Sequence, residues 1–388
     1  MMSCHKLFLR LSLTVILGGV LGSLISCESA PVDHRASDSP KQSSDAHATV
    51  STQPSVTPAT ASTQPSNGAP ASVSPNQSSD DRVLVESRES IYNNIYVYRT
   101  GTYVSMTFGH NQHLYEESRY NTADDRELPI PYTQFMTASL MYPSKINSIL
   151  EIGSGGGRTA WYLHRFLPKV QITSVELDPV VVELSRKYFG IKDEPNFRVI
   201  ARDGRMFLSD SKSRYDVILI DAYRGPFAPF HMLTKEFYQI VKAHLAEGGV
   251  EAQNVEPTTM LFDSAVKTLH AVFSQVEFYD ASGDNVGGNV VMVGYDGQDL
   301  SSSDLHRMAE THESDYKLRY DLSQMVPHRF LLKPVGSSFD VVNQAGQETA
   351  GIDDKAKVLT DDFAPVESLK AIARHNQKWT IQSDPATQ

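Results

Sequence analysis

Residues 150–163 read "LEIGSGGGRTAWYL". A strand-like run carries the carboxylate Glu151, passes through Gly153, Gly155, Gly156 and Gly157, and opens into a helical stretch at Arg158. Such glycines permit a sharp turn and let a bound group approach the backbone amides at a helix start. Alone, the pattern suits a nucleotide or nucleoside and equally a plain strand–helix turn. Its meaning depends on what surrounds it.

Downstream, strands and amphipathic helices alternate. Strand-like runs fall at 148–152, 170–176, 197–201, 215–221 and 248–255, separated by helical stretches at 158–167, 180–189, 205–210, 232–245 and 259–273. Two later runs, "QVEFYD" and "NVVMVGY", are joined by a loop too short for a helix and are predicted antiparallel. This order predicts an α/β fold with a doubly wound sheet and an antiparallel last strand, with ligands at the carboxyl ends of the strands. Upstream, "YNNIYVYRTGTYVS" (92–105) alternates Tyr, Val and Ile and reads as a hairpin, followed by a helix from about Tyr132 to Met141.

Polar residues gather at the predicted strand ends. Glu176 ends the second strand about 20 residues past the glycine turn, where a carboxylate accepts ribose hydroxyls. Asp178, before Pro179, suits helix capping. The pair Asp203 and Gly204 follows the third strand, and Asp221 ends the apolar "VILID" of the fourth. A carboxylate at such an apolar mouth is costly unless solvated or used. Four features in register on four successive strands are far more specific than one.

The stretch from about Tyr92 to Tyr295 resembles the spermidine synthase (polyamine aminopropyltransferase) family. The resemblance rests on "YNNIYVYR", "ILEIGSGGGR", "VELDPVVVELSRKYFG", "RDGRMFL" and "YDVILIDAYRGP…FHMLTKEFYQIVKAHLAEGGV", and the late "VLTDDFAPVE" (358–367) resembles a bacterial subgroup. It implies a Rossmann-like class I methyltransferase fold preceded by a small β-domain. It also implies a co-substrate, decarboxylated S-adenosylmethionine, and a small amine acceptor. Asn93 then stands where an amide contacts the methylthioadenosine part, Glu176 at the ribose, Asp203 and Gly204 at the adenine, and Asp221 as catalytic proton acceptor.

The amine half departs from that pattern. Gly156 stands where the family places an Asp that holds the aminopropyl ammonium. Thr133 follows Tyr132 where a His or similar residue is usual, and Arg224 replaces the second Asp of the "D-x-x-D-P" loop. Exchanging a carboxylate for Arg shifts the local charge by two units, each worth about 3 kcal/mol at ~5 Å in an effective dielectric of about 20. These changes predict a preference for intact S-adenosylmethionine, with Arg158 attracting its carboxylate. Glu151 matches the acidic position that contacts the methionine amino group in ordinary methyltransferases. The expected function is aminopropyl or methyl transfer to an unidentified acceptor; the alternative is a catalytically inactive nucleoside-binding or scaffold protein.

The remaining candidates carry less. His110 and His113 form H-x-x-H, but residues three apart on one strand face opposite ways, so no metal site is expected. His231 reads as a helix-start residue, the alternative being a second base, and Asp361 and Asp362 as caps of a helix near Pro365, the alternative being an acidic pair that reaches the active-site mouth in place of the lost amine ligands.

Before residue 83 the chain changes character. Lys6 and Arg10 precede an apolar stretch from Leu11 to Leu24, and "LISC" ends at Cys27 like a bacterial lipobox. Cys4 and Cys27 are the two cysteines, so a mature chain beginning at Cys27 forms no internal disulfide. Residues 27–82 are rich in Ser, Thr, Pro and Gln, with "STQPS" twice, and bury too little to fold. The expected organisation is a signal peptide at 1–26, a tether at 27–82, a β-domain at 83–127, a Rossmann-like domain at 128–300 and a carboxyl-terminal extension at 301–388. The net charge of −11, with no Lys/Arg-rich run, argues against nucleic acid as a partner. The expected partners are the amine acceptor, a lipid bilayer through acylated Cys27 on the periplasmic or cell-surface side, and, by resemblance, a second copy in a homodimer.

Overall fold

Four strands open the folded chain: β1 (Val83–Glu89), β2 (Asn94–Thr100), β3 (Tyr103–His110) and β4 (His113–Asn121), paired in that order as an antiparallel sheet. The computed structural model describes residues 81–363 except 111–112, 224–227, 260 and 282–287. The lipobox cysteine Cys27, the loop residue Arg224 and the helix expected near Pro365 lie outside the described residues. In β2, Ile95 and Val97 are buried while Tyr96 and Tyr98 reach the other face, as alternation in a half-buried strand requires. Glu86 of β1 accepts hydrogen bonds from Lys187 (2.6 Å) and Tyr188 (2.5 Å), which fastens this sheet to the larger body.

His110 ends β3 and His113 begins β4, and the two pair directly across the hairpin. They therefore stand on two strands and not on one, so the three-residue spacing along a single strand does not apply. Among the described residues no group of three or more His, Cys, Asp or Glu is placed to hold a metal ion.

The larger sheet begins with β5 (Ser148–Ile152), β6 (Gln171–Glu176), β7 (Phe197–Ala201), β8 (Tyr215–Ile220) and β9 (Leu245–Val255), all parallel. The antiparallel pair β10 (Gln275–Asp280) and β11 (Val290–Tyr295) follows. The helices are α1 (Pro131–Met136), α2 (Arg158–Phe166), α3 (Pro179–Tyr188), α4 (Gly204–Asp210), α5 (Lys235–Ala243), α6 (Phe262–His270) and α7 (Ser302–Tyr316). The helix expected over 132–141 is α1 followed by a tighter 3-10 turn at Thr137–Met141.

Side-chain alternation explains the two layers. Ile149, Val217 and Leu219 pack with Ala160, Leu163, Val181 and Leu184 of α2 and α3. Their neighbours Leu150, Ile218 and Ile220 pack on the opposite face with Phe237, Val241, Val266 and Leu269 of α5 and α6. A strand covered on both sides must be apolar at every position, and "VILI" of β8 is.

The sheet does not stop at the antiparallel pair. Residues after 300 add β12 (Arg329–Val335), β13 (Ser338–Asn343) and β14 (Glu348–Ile352), with β12 pairing β10. The expected boundary at residue 300 thus cuts through one ten-stranded sheet, ordered β14-β13-β12-β10-β11-β9-β8-β5-β6-β7. Arg329 anchors the addition. Its guanidinium pairs with Glu277 of β10 and donates to the Leu300 carbonyl at 2.7 Å, while Tyr142 and Tyr295 also donate to Glu277. Strand order reverses between β5 and β8, and the ligand rule for open α/β sheets points to that crevice.

Candidate active site

A cavity of about 810 Å³ opens at the carboxyl ends of β5, β6 and β8, beneath the small β-domain. Asn93, Gly153, Gly155, Glu176, Asp203, Gly204, Asp221, Tyr132 and Thr133 all border it. Glu151, Gly156 and Gly157 do not.

Asp221 follows directly on β8. Its Oδ2 accepts a hydrogen bond from the Tyr132 hydroxyl at 3.0 Å and its Oδ1 from Asn254 Nδ2 at 2.8 Å. Burial raises its pKa to about 7, against the lowering effect of those two donors, and the Glu176 charge adds to the rise. A carboxyl so poised can take a proton near neutral pH. Asn254, on β9, is itself fixed: its Oδ1 accepts from Asn289 at 2.8 Å and its carbonyl from the Tyr223 hydroxyl at 3.1 Å. Nothing in the local sequence marks Asn254, because its role comes from the β8–β9 pairing.

The backbone also fixes Asp221. Its amide donates to the Ile152 carbonyl at 2.8 Å, which draws the β5 turn against the end of β8. At Gly153, φ is +90°, and a Cβ there would lie 2.3 Å from the Asp221 carbonyl oxygen. Only glycine fits.

Glu176 ends β6 and braces the glycine loop. Its Oε2 accepts from the Gly155 amide at 2.9 Å and its Oε1 from the Asp178 amide at 3.1 Å. Burial raises its pKa, and these amides oppose the rise. Asp178 caps α3 through Val180 at 2.9 Å and accepts from Ser90 at 2.5 Å. Asp203 caps α4 through Met206 at 2.8 Å, and His231 Nε2 lies 3.9 Å away. Gly204 is required because a Cβ would meet Ile152 Cγ2 at 2.2 Å.

Several residues differ from expectation. Glu151 turns into the fold: its Oε1 accepts from the Ala160 amide at 3.1 Å and its Oε2 from the Ser174 hydroxyl. Burial pushes its pKa to about 8, so it is a largely protonated brace for the start of α2. Arg158 is buried rather than free. It donates to the Phe189 carbonyl (2.9 Å) and the Asp125 carbonyl (2.6 Å), pairs with the Asp125 carboxylate (3.2 Å) and lies 4.1 Å over the Tyr120 ring. Arg158 also borders the cavity, and its buried Nε has no hydrogen-bond partner. Thr133 spends its hydroxyl on the Ile130 carbonyl at 2.6 Å, closing the first turn of α1.

Asp361 lies beside the cavity, and the helix it is expected to cap is outside the described residues. Its carboxylate grips Arg205 at 2.9 and 2.5 Å and accepts from Thr234 at 2.8 Å. Arg205 in turn donates to the His231 carbonyl at 3.0 Å. The LTDD motif therefore clasps α4 and the start of α5 beside the cavity.

Sequence reasoning missed Glu117. It lies on β4 at a bulge, where Met106 pairs Ser118 and Thr107 pairs Glu116, leaving Glu117 unpaired in the ladder. Bulges beside functional sites re-aim side chains. Glu117 borders the cavity, and its buried Oε1 has no hydrogen-bond partner.

A cavity lined by strand-end carboxylates at the switch point of a sheet that is parallel from β5 to β9 defines a ligand-binding α/β protein. The spermine/spermidine synthase domain family matches residues 132–284. The polyamine aminopropyltransferase of Vibrio vulnificus (strain CMCP6) is 27% identical over 291 residues, 74% of this chain and 91% of that protein. That of Serratia proteamaculans (strain 568) is 30% identical over 202 residues, 49% of this chain and 70% of its own. A probable spermidine synthase from Corynebacterium glutamicum shares the fold with a TM-score of 0.51 at 21% identity, over 58% of this chain and 87% of that one. The chain belongs to the spermidine synthase (polyamine aminopropyltransferase) family.

Proposed function

We propose that the protein is a group transferase that uses a sulfonium nucleoside, S-adenosylmethionine or its decarboxylated form, to alkylate an acceptor amine. The observation that carries this reading is Asp221, buried at the strand ends between the Tyr132 and Asn254 donors with a pKa of about 7. The acceptor nitrogen attacks the carbon bonded to sulfur with its lone pair. The C–S bond breaks, its electrons return to sulfur as a neutral thioether, and Asp221 takes the proton released from nitrogen. Since the sulfonium is already activated, the protein's work is alignment and proton removal. Glu176 would hold the ribose, Asp203 and Asn93 the base and the thioether side.

Incubating the purified protein with each sulfonium nucleoside and a panel of amines, followed by mass spectrometry, tests this. Alkylated product from the wild type and none from Asp221→Asn is expected. Product formed equally by both would remove Asp221 from the reaction.

We also propose that the protein is exported and held at a bilayer by acylation of Cys27, on the basic start, apolar stretch and LISC of residues 1–27. Membrane fractionation of wild type and Cys27→Ser, with mass analysis of the amino-terminal peptide, tests it. An unmodified Cys27 in the mature protein would overturn it.

A further inference from the structure

Two walls of the cavity meet beside α4. Asp203 and Gly204, at its start, form one, and residues 228–232 form the other. His231 Nε2 and Asp203 Oδ2 stand 3.9 Å apart across the seam. The second wall holds a single 3-10 turn, Phe230–Met232, which begins at Pro229, a residue whose side chain cannot cap it. Its backbone is tied to other elements from outside. Gln253 of β9 donates to the Met232 carbonyl at 3.4 Å, and Arg205 of α4 donates to the His231 carbonyl at 3.0 Å. The second tie is the shorter.

Arg205 is itself held from far along the chain. Asp361 accepts from its two terminal nitrogens at 2.9 and 2.5 Å and from Thr234 Oγ1 at 2.8 Å. The Asp361 amide donates to Glu236 at 3.0 Å. Two residues earlier, buried Leu359 accepts from the Lys235 amide and donates to Thr268 of α6, both at 2.8 Å. The carboxylate is thus presented from a fixed backbone, and a bidentate pair leaves the guanidinium one orientation. Arg205 first, and then Thr234, hold the Asp361 carboxyl below the usual carboxylate range, so the pair is charged.

From this relay, Asp361 through Arg205 to the His231 carbonyl, we propose that Asp361 is a positioning residue for the nucleoside end of the cavity. It keeps residues 228–232 set against Asp203, so that the base is gripped between the two walls. It touches no reacting atom. The inference deepens the transferase reading and rests on it for the identity of the ligand.

Magnitudes favour this role over a merely stabilising one. The Asp361 side chain is 42% exposed, and an ion pair with an exposed member contributes about 1 kcal/mol or less to folding. The spacing of the two walls, by contrast, bears on every contact that the bound base makes with them.

Calorimetry with methylthioadenosine tests the relay in Asp361→Asn, Arg205→Met, the double variant and Asp361→Glu. Each of the first two should lose about five- to fiftyfold in affinity. The double variant should lose no more than either single one, because both act through one tie. Asp361→Glu, which keeps the charge, should recover part of the loss. Hydrogen exchange without ligand should quicken in Asp361→Asn over residues 228–234 and stay unchanged in β5 and β8. Wild-type affinity in Asp361→Asn, or losses that add in the double variant, would overturn the proposal. Quickened exchange in β5 and β8 as well would overturn it by making Asp361 a stability residue. Failure of methylthioadenosine to bind the wild type would remove the nucleoside reading and this role with it, and the exchange result would still show whether Asp361 holds the wall.

Discussion

The Tyr132 hydroxyl lies 3.0 Å from Asp221 Oδ2, although 89 residues separate them. The contact joins the start of α1 to the end of β8 across the cavity and gives the carboxylate a donor on the side opposite Asn254. Hydrogen bonds to a carboxylate favour its charged form, so Tyr132 holds down a pKa that burial pushes up.

Transfer activity should therefore rise with pH through about 7 as Asp221 loses its proton. In Tyr132→Phe one donor is gone and the rise should move to higher pH by about one unit, with lower activity at pH 7. A pH profile of kcat/KM for both proteins checks this. An unshifted limb would mean that another group sets it.

The same carboxyl weighs on stability. Its folded pKa of about 7 lies above its unfolded value, 3.8, so the folded state holds the proton more tightly. The sign follows: stability is greatest below about pH 4 and declines as pH rises to about 7, by an amount on the order of a few kcal/mol. Asp221→Asn should be stabilised relative to wild type at pH 8 and much less so at pH 4. Urea denaturation at both pH values decides it.

Gly156→Asp puts back the family's acidic residue. Because Phe189 and Ser118 occupy the space, overpacking should cost about 1–3 kcal/mol and no tighter binding of the aminopropyl donor should result. Thermal unfolding and titration with decarboxylated S-adenosylmethionine read both effects; a stable variant with improved affinity would contradict the packing described.

Arg329→Met leaves Glu277 buried without its cation and should destabilise the protein by about 3–5 kcal/mol. The double variant Arg329→Met with Glu277→Gln should recover part of that loss, since no uncompensated charge remains. Chemical denaturation of the two variants separates lost charge pairing from lost packing. Equal stability would attribute the cost to packing.

The parts of the fold that local pattern encodes could be read directly. Apolar runs that end in Glu176 and Asp221, and the glycines between β5 and α2, mark the strand ends in the sequence itself. The partners of Glu151 and Arg158 are not legible in the sequence, because burial and pairing are tertiary: Ser174, Ala160 and Asp125 meet those side chains only in the fold. Glu117 left no mark because a bulge is set by the register between two strands and not by one strand's sequence. The strands after residue 300 are polar enough on one face to look like an appendage, yet β12 finds a partner in the exposed edge of β10.

The Asp361 clasp has a consequence for the order of events in synthesis. A chain emerging amino end first can pair β5 to β9 long before residue 361 exists, but Arg205 and Thr234 wait for it. The rim beside the cavity is finished by one of the last described residues to be made. A ribosome that stalls within β14 would release a sheet that is nearly complete around a site that is not.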